Sequence, residues 1–211
     1  ATGLPALVYE RQGHGDADPI AAPRGLDYLH VEAEEVLPAV LEQAGIGRAL
    51  LIGHSDGGSI ALLHAAAFPE RTAAAVTLAA HVFVEDVTVA GVYEAMEAWR
   101  STDLPDRLAK YHGANTEALY RAWAETWTSD EFRSWNIEDC LPRIGCPLLV
   151  IQGENDTRCP ARQMRVYEEK LRELGKEFHI HWFDAGHGSR AMEQSIEHQE
   201  IMLRFAYRVL G

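Results

Sequence analysis

The hexapeptide Gly53-His54-Ser55-Asp56-Gly57-Gly58 constrains this chain more than any other stretch. It follows the apolar run Ala49-Leu50-Leu51-Ile52 and precedes Ser59-Ile60-Ala61-Leu62-Leu63-His64-Ala65-Ala66-Ala67. That pattern predicts a strand, a sharp turn and a helix, with Gly-x-Ser-x-Gly at the turn. A turn this tight forces Ser55 into a strained backbone conformation that only small neighbours tolerate. Gly53 and Gly57 are expected to keep Cβ atoms out of the crowded junction. The Ser55 hydroxyl is then held at the C-terminal edge of a sheet. It lies beside a helix N-terminus whose N–H groups and dipole favour a nascent oxyanion. The Asp56 N–H is the expected donor, and the Asp56 side chain is expected to cap the helix.

A serine hydroxyl needs a general base to act as a nucleophile near neutral pH, and the base needs an orienting carboxylate. Two loops fall in suitable places. Pro147–Gln152 reads as a buried strand ending at Gly153, followed by Glu154-Asn155-Asp156-Thr157. Phe178–Phe183 reads as another, followed by Asp184-Ala185-Gly186-His187-Gly188. Both loops leave C-terminal strand ends, which share one edge of a parallel sheet. His187 is the expected base and Asp156 the expected carboxylate. Glu154, Asp184, Glu85 and Asp86 remain alternative carboxylates. The chain has ten histidines. Among them His54 and His81 are expected to line a pocket, His64 to pack on the elbow helix, and His14 to lie in a loop able to reach the site. His179 and His181 alternate on one strand face, but no third metal ligand accompanies them, so no metal site is assigned.

These pieces, in this order, resemble the α/β-hydrolase superfamily, and more narrowly its small cap-bearing serine carboxylesterase and enol-lactonase-like branch. The resemblance is carried by Tyr9-Glu10-Arg11-Gln12-Gly13-His14-Gly15, the Gly53–Gly58 elbow, Phe68-Pro69-Glu70-Arg71, Leu148–Asp156 and Ala185-Gly186-His187. It implies a mostly parallel sheet flanked by helices, a Ser55–His187–Asp156 triad and an acyl-enzyme route to a small or medium carboxylic ester or lactone. It also implies that no metal or organic cofactor is needed. Related branches place Asp at the elbow for dehalogenation, whereas Ser55 favours ester chemistry. C–C bond hydrolysis, acyl transfer and perhydrolysis would use the same three residues. A ligand-binding protein on the same scaffold is the competing class. The resemblance further implies that the family's N-terminal strands, with a His-Gly oxyanion loop, are missing from this chain. Residues 1–9 would then supply a helix tail and one strand, and the sheet would carry a gap beside the elbow strand. The second oxyanion donor is therefore unnamed.

Residues 31–44 have helical spacing, with Pro38 near the start of the regular part and Gly45 after its end. Ala73–Ala80 reads as a buried strand. Helix and strand thus alternate as in a parallel sheet. From 84 to 140 the alternation stops and helical stretches follow: 92–100, 104–112, 116–127 and 130–135. This segment reads as a helical cap inserted in a core of 1–83 and 141–211. It holds Trp99, Trp123, Trp127 and Trp135, of which Trp123 and Trp127 are the expected pocket residues. Helices over 161–174 and 191–210 complete the core.

The 211 residues carry a formal net charge of −13. A phosphate backbone or an anionic membrane surface would be repelled, so neither is an expected partner; a small molecule is. Apolar runs fall short of the ~18 residues a membrane span needs. Three cysteines without a Cys-x-x-Cys pair fit a reducing cytoplasm.

Overall fold

The computed structural model describes residues 3–20, 24–188 and 191–211. They fall into two compact units, one made of the described residues of 1–26 with Glu85–Trp135, the other of Asp27–Val84 with Asn136–Gly211.

The second unit is an α/β fold. Among the described residues its sheet has four parallel strands in sequence order: β1 (Ala49–His54), β2 (Thr72–Leu78), β3 (Leu148–Gly153) and β4 (Phe178–Phe183). The inner strands β2 and β3 are buried almost throughout, so they read as apolar runs without alternation. β1 and β4 form the edges, and Ile52 of β1 is 57% exposed. Ala74, Val76, Leu149, Ile151, Phe183 and Phe205 form a buried core cluster on the sheet.

The helix expected over 31–44 forms with a defect. Tyr28–Val31 (α1) passes through a wide π-helical turn, Glu32–Val36, into Leu37–Gln43 (α2), with Pro38 in the first turn of α2. Pro38 has no N–H and its ring crowds the preceding turn, so the ladder widens before it. Asp56–Ala67 (α3) follows β1 and is buried from Gly58 to Ala66. The core closes with Ala161–Glu173 (α7) and Met192–Leu210 (α8).

The helical unit contains Asp86–Ser101 (α4), Leu104–His112 (α5) and Thr116–Thr128 (α6), then a short 3-10 turn, Glu131–Ser134. The contacts gather the N-terminal segment with these helices, rather than with the core to which the sequence reading assigned 1–83. Asn115 Nδ2–H donates to the Ala17 carbonyl at 2.7 Å, and the Gly15 N–H donates to His112 Nδ1 at 3.0 Å. The strand expected within residues 1–9 is not found: 4–10 form no strand, and Val8 is 91% exposed. The run is short and includes Pro5, which lacks a ladder N–H. The expected gap beside the elbow strand therefore does not arise, because β1 is an edge of the described sheet. None of the described helices is long and apolar enough to cross a membrane.

Candidate active site

Ser55 joins β1 to α3 with φ 54° and ψ −121°. Positive φ is costly for a residue with a Cβ and persists only where the surroundings enforce it. Here they do. The Ser55 N–H donates to the Leu78 carbonyl at 2.8 Å, and the Ser55 carbonyl accepts from Gly58 and Ser59 at 2.8 and 3.2 Å. A Cβ on Gly53 would lie 2.0 Å from the Gly57 carbonyl oxygen, and one on Gly58 2.7 Å from the Ala80 Cβ. A Cβ on Gly57 would meet nothing within 4 Å. The glycines that close contact demands are thus Gly53 and Gly58, not the expected Gly53 and Gly57. Asp56 is the first helical residue rather than the N-cap, which is Ser55, and its Oδ2 accepts from the Tyr28 hydroxyl at 2.8 Å.

The loops after β3 and β4 meet at this turn. His187 Nε2 lies 3.1 Å from Ser55 Oγ, and its Nδ1 lies 2.9 and 3.2 Å from Asp156 Oδ2 and Oδ1. A carboxylate accepts only, so Nδ1 carries the proton and Nε2 is left to accept the serine hydroxyl. Asp156 has no exposed side-chain surface. Its Oδ1 accepts the Arg158 and Cys159 N–H groups at 2.8 Å each, and Oδ2 lies 3.3 Å from Gln152 Nε2. Burial opposes its ionisation. The hydrogen bond from His187 and those from Cys159 and Arg158 outweigh burial and hold its pKa below the ordinary value. Two of the alternative carboxylates are engaged elsewhere: Asp184 accepts from Asn155 at 2.7 Å, and Asp86 pairs with Arg133. Among the described residues, Asp156 is the carboxylate paired with His187.

A sequence profile described as the alpha/beta hydrolase family matches residues 1–197. The chain belongs to that family. It is 36% identical over 122 residues to lipase LipV of Mycobacterium tuberculosis, covering 58% of this chain and 42% of the relative. It spans about half the length of the curated relatives it matches. Among solved structures it is similar to NosK from Streptomyces actuosus, with a TM-score of 0.71 at 23% identity, covering 95% of this chain and 84% of that one. A carboxylesterase structure from the thaumarchaeon Nitrososphaera gargenis gives a TM-score of 0.70 at 20% identity, over 96% of this chain and 79% of that one. At such identities the structural likeness speaks to fold alone.

In this alpha/beta hydrolase chain the two site loops are braced by residues that sequence reasoning missed or gave another role. His81 and His54 were expected to line a pocket. His81 is buried, and its Nε2–H donates to the Arg158 carbonyl at 2.9 Å, on the Asp156 loop. His54 is exposed, and its Nε2–H donates to the His187 carbonyl at 2.8 Å. The His54 and His81 rings lie 4.8 and 6.4 Å from that of His187. Removal from water lowers the pKa of both, which favours neutral rings beside His187. The buried Cys159 thiol donates to the Ala80 carbonyl at 2.8 Å, and Gln163 Oε1 accepts from the Val82 and Phe83 N–H groups at 2.6 and 3.2 Å. The only advance signal for Gln152 was a polar residue in an apolar strand; Tyr28 and Gln163 gave none. A Cβ on Gly153 would lie 2.1 Å from the Gly186 carbonyl oxygen, so the β4 loop can cross the end of β3 only over glycine.

The other candidates fall elsewhere. His64 packs in the core, its Nδ1–H donating to the Ala33 carbonyl at 2.9 Å. His14 lies in the helical unit, where Arg11 Nη2 donates to its Nε2 at 3.2 Å. Trp127 is buried against Phe132 and Trp135, the geometry of a packing residue. Trp123 is half-buried, 5.8 Å ring to ring from Tyr120, which itself stacks on Trp99 at 4.0 Å. Among the described residues no group of three His, Cys, Asp or Glu side chains is arranged to hold a metal ion.

Proposed function

We propose that this chain carries the reactive centre of a serine hydrolase acting on a small or medium carboxylic ester or lactone. The unbroken relay from Ser55 Oγ through His187 to buried Asp156 carries the reading. Ser55 Oγ attacks the carbonyl carbon while His187 Nε2 takes its proton. Negative charge develops on the carbonyl oxygen, where the Asp56 N–H at the start of α3 donates to it, aided by the helix dipole. The tetrahedral adduct collapses, His187 gives its proton to the departing alkoxide, and Ser55 is left acylated. Water, deprotonated by His187, attacks the acyl carbon; the bond from that carbon to Ser55 Oγ breaks, the acid leaves, and His187 returns the proton to Ser55 Oγ. Asp156 remains ionised throughout, which agrees with its lowered pKa.

Turnover of p-nitrophenyl acetate and butyrate, with intact-mass labelling by a fluorophosphonate, tests this. Wild type is expected to hydrolyse both and to gain one adduct; Ser55→Ala is expected to do neither. Equal labelling of the two proteins would remove Ser55 as the nucleophile.

In this reading residues 84–140 act as a cap that sets acyl-chain preference. Trp123, half-buried, is the side chain to truncate. Trp123→Ala is expected to change the butyrate-to-acetate ratio of kcat/KM by about tenfold or more, the scale of a pocket methylene. An unchanged ratio assigns the helices a structural role.

A further inference from the structure

The imidazole of His187 can lie between Ser55 and Asp156 only if its own backbone is held. The loop after β4 has several fixings near its start. The Asn155 N–H donates to the Ala185 carbonyl at 3.0 Å, Asn155 Nδ2 to Asp184 Oδ1 at 2.7 Å, and Gln194 Nε2 to the Asp184 carbonyl at 3.2 Å. All of these precede Gly186. At His187 itself the carbonyl is taken by the His54 Nε2–H, at 2.8 Å. His54 is the last residue of β1, paired with Leu78, and directly precedes the strained Ser55. Nucleophile and base are therefore joined twice, once through side chains at 3.1 Å and once from the end of β1 to the base's main chain at 2.8 Å.

We propose that His54 is a positioning residue, whose Nε2–H anchors the His187 backbone to the rigid end of β1 and so sets the imidazole's approach to Ser55 Oγ. The proposal rests on the reading of Ser55 and His187 as nucleophile and base. The donor must reach from the strand end to a carbonyl in a different loop, so side-chain length matters. The Nε2 of glutamine lies the same number of bonds from Cα as the Nε2 of histidine; the amide of asparagine falls one bond short. The hydrogen bond is also solvent-exposed, so its contribution to fold stability is small. Misplacement of a reacting group by an ångström, by contrast, costs on the order of a hundredfold in rate.

The test compares His54→Leu, His54→Asn and His54→Gln. It reads kcat and KM on p-nitrophenyl butyrate, the melting temperature, and the low-field proton resonance of His187 Nδ1–H. The last reports the His187–Asp156 geometry without substrate. Leu and Asn are expected to lower kcat by about tenfold, a partial misplacement, with KM nearly unchanged. They should also broaden or shift the low-field proton. Gln is expected to keep most of the wild-type kcat and the wild-type resonance. Melting temperatures should stay within about 4 °C of wild type, the effect of ~1 kcal/mol in a chain of this size. Wild-type kcat and resonance in both Leu and Asn would overturn the proposal, as would a change confined to KM, which is the mark of a pocket residue. If Leu fails to fold, the Asn–Gln pair decides alone, since both are polar. A wild-type protein that neither turns over esters nor labels at Ser55 refutes the hydrolase reading instead, and the resonance still decides the role of His54.

Discussion

Replacing Asp156 by Asn changes one atom and should cost nearly all the activity while leaving the fold in place. The wild-type carboxylate accepts on both oxygens. Oδ1 takes the Arg158 and Cys159 N–H groups at 2.8 Å, and Oδ2 takes His187 Nδ1–H at 2.9 Å. In Asp156→Asn the amide oxygen must stay on the two backbone donors, because an NH2 there would face two N–H groups. The NH2 is then turned toward His187 and donates to Nδ1. The imidazole is pushed to the tautomer with its proton on Nε2, pointing at Ser55 Oγ, where it cannot accept the hydroxyl proton. A tautomer error of this kind lowers kcat by about 10⁴-fold, or ~5.4 kcal/mol at 1.36 kcal/mol per decade. Stability should fall far less, by ~1–3 kcal/mol, because charge-assisted bonds are exchanged for neutral ones. The assay is initial-rate hydrolysis of p-nitrophenyl butyrate beside a thermal melt, with Glu154→Gln as the control. A kcat within tenfold of wild type in folded Asp156→Asn refutes the argument, and a collapse in Glu154→Gln instead would move the carboxylate role to Glu154.

The remaining expectations concern the scaffold. Gly53→Ala forces a Cβ to 2.0 Å from a backbone oxygen that cannot move aside, so a loss of more than ~3 kcal/mol is expected. Gly57→Ala has open space inside α3 and should gain up to ~1 kcal/mol. Similar melting temperatures for the two would contradict this account of the elbow. In the helical unit, burial and then the neighbouring Arg11 guanidinium lower the His14 pKa to about 4, against an ordinary 6.5. The unfolded chain therefore binds the proton more readily, and stability from neutral His14 is fully present above pH 6.5 and lost as pH falls toward 4. His14→Gln should flatten part of the decline in melting temperature over that window; an identical decline would dismiss the His14 contribution.

The sequence alone was enough to order the strands and helices of the core and to nominate Ser55, Asp156 and His187. The reason is physical. Apolar runs and glycine punctuation are local signals. Once a parallel sheet is inferred, every loop leaving a C-terminal strand end must come to the same edge, however far apart those loops lie in the chain. Contacts across that edge are another matter, because they depend on register, twist and the path of each loop. Only the tertiary structure decided that Gly58 rather than Gly57 meets Ala80, and that residues 4–10 stand outside the sheet despite their apolar run. It also showed what holds Asp156, the carboxylate the sequence already favoured over Glu154: the Arg158 and Cys159 N–H groups turn back to its Oδ1. The same holds for His54 and His81. As letters they were one histidine before a serine turn and another after the strand Ala73–Ala80. Packed, each reaches across to a backbone carbonyl in a different loop, a proximity set by chain closure over 133 and 77 residues and invisible to any local pattern.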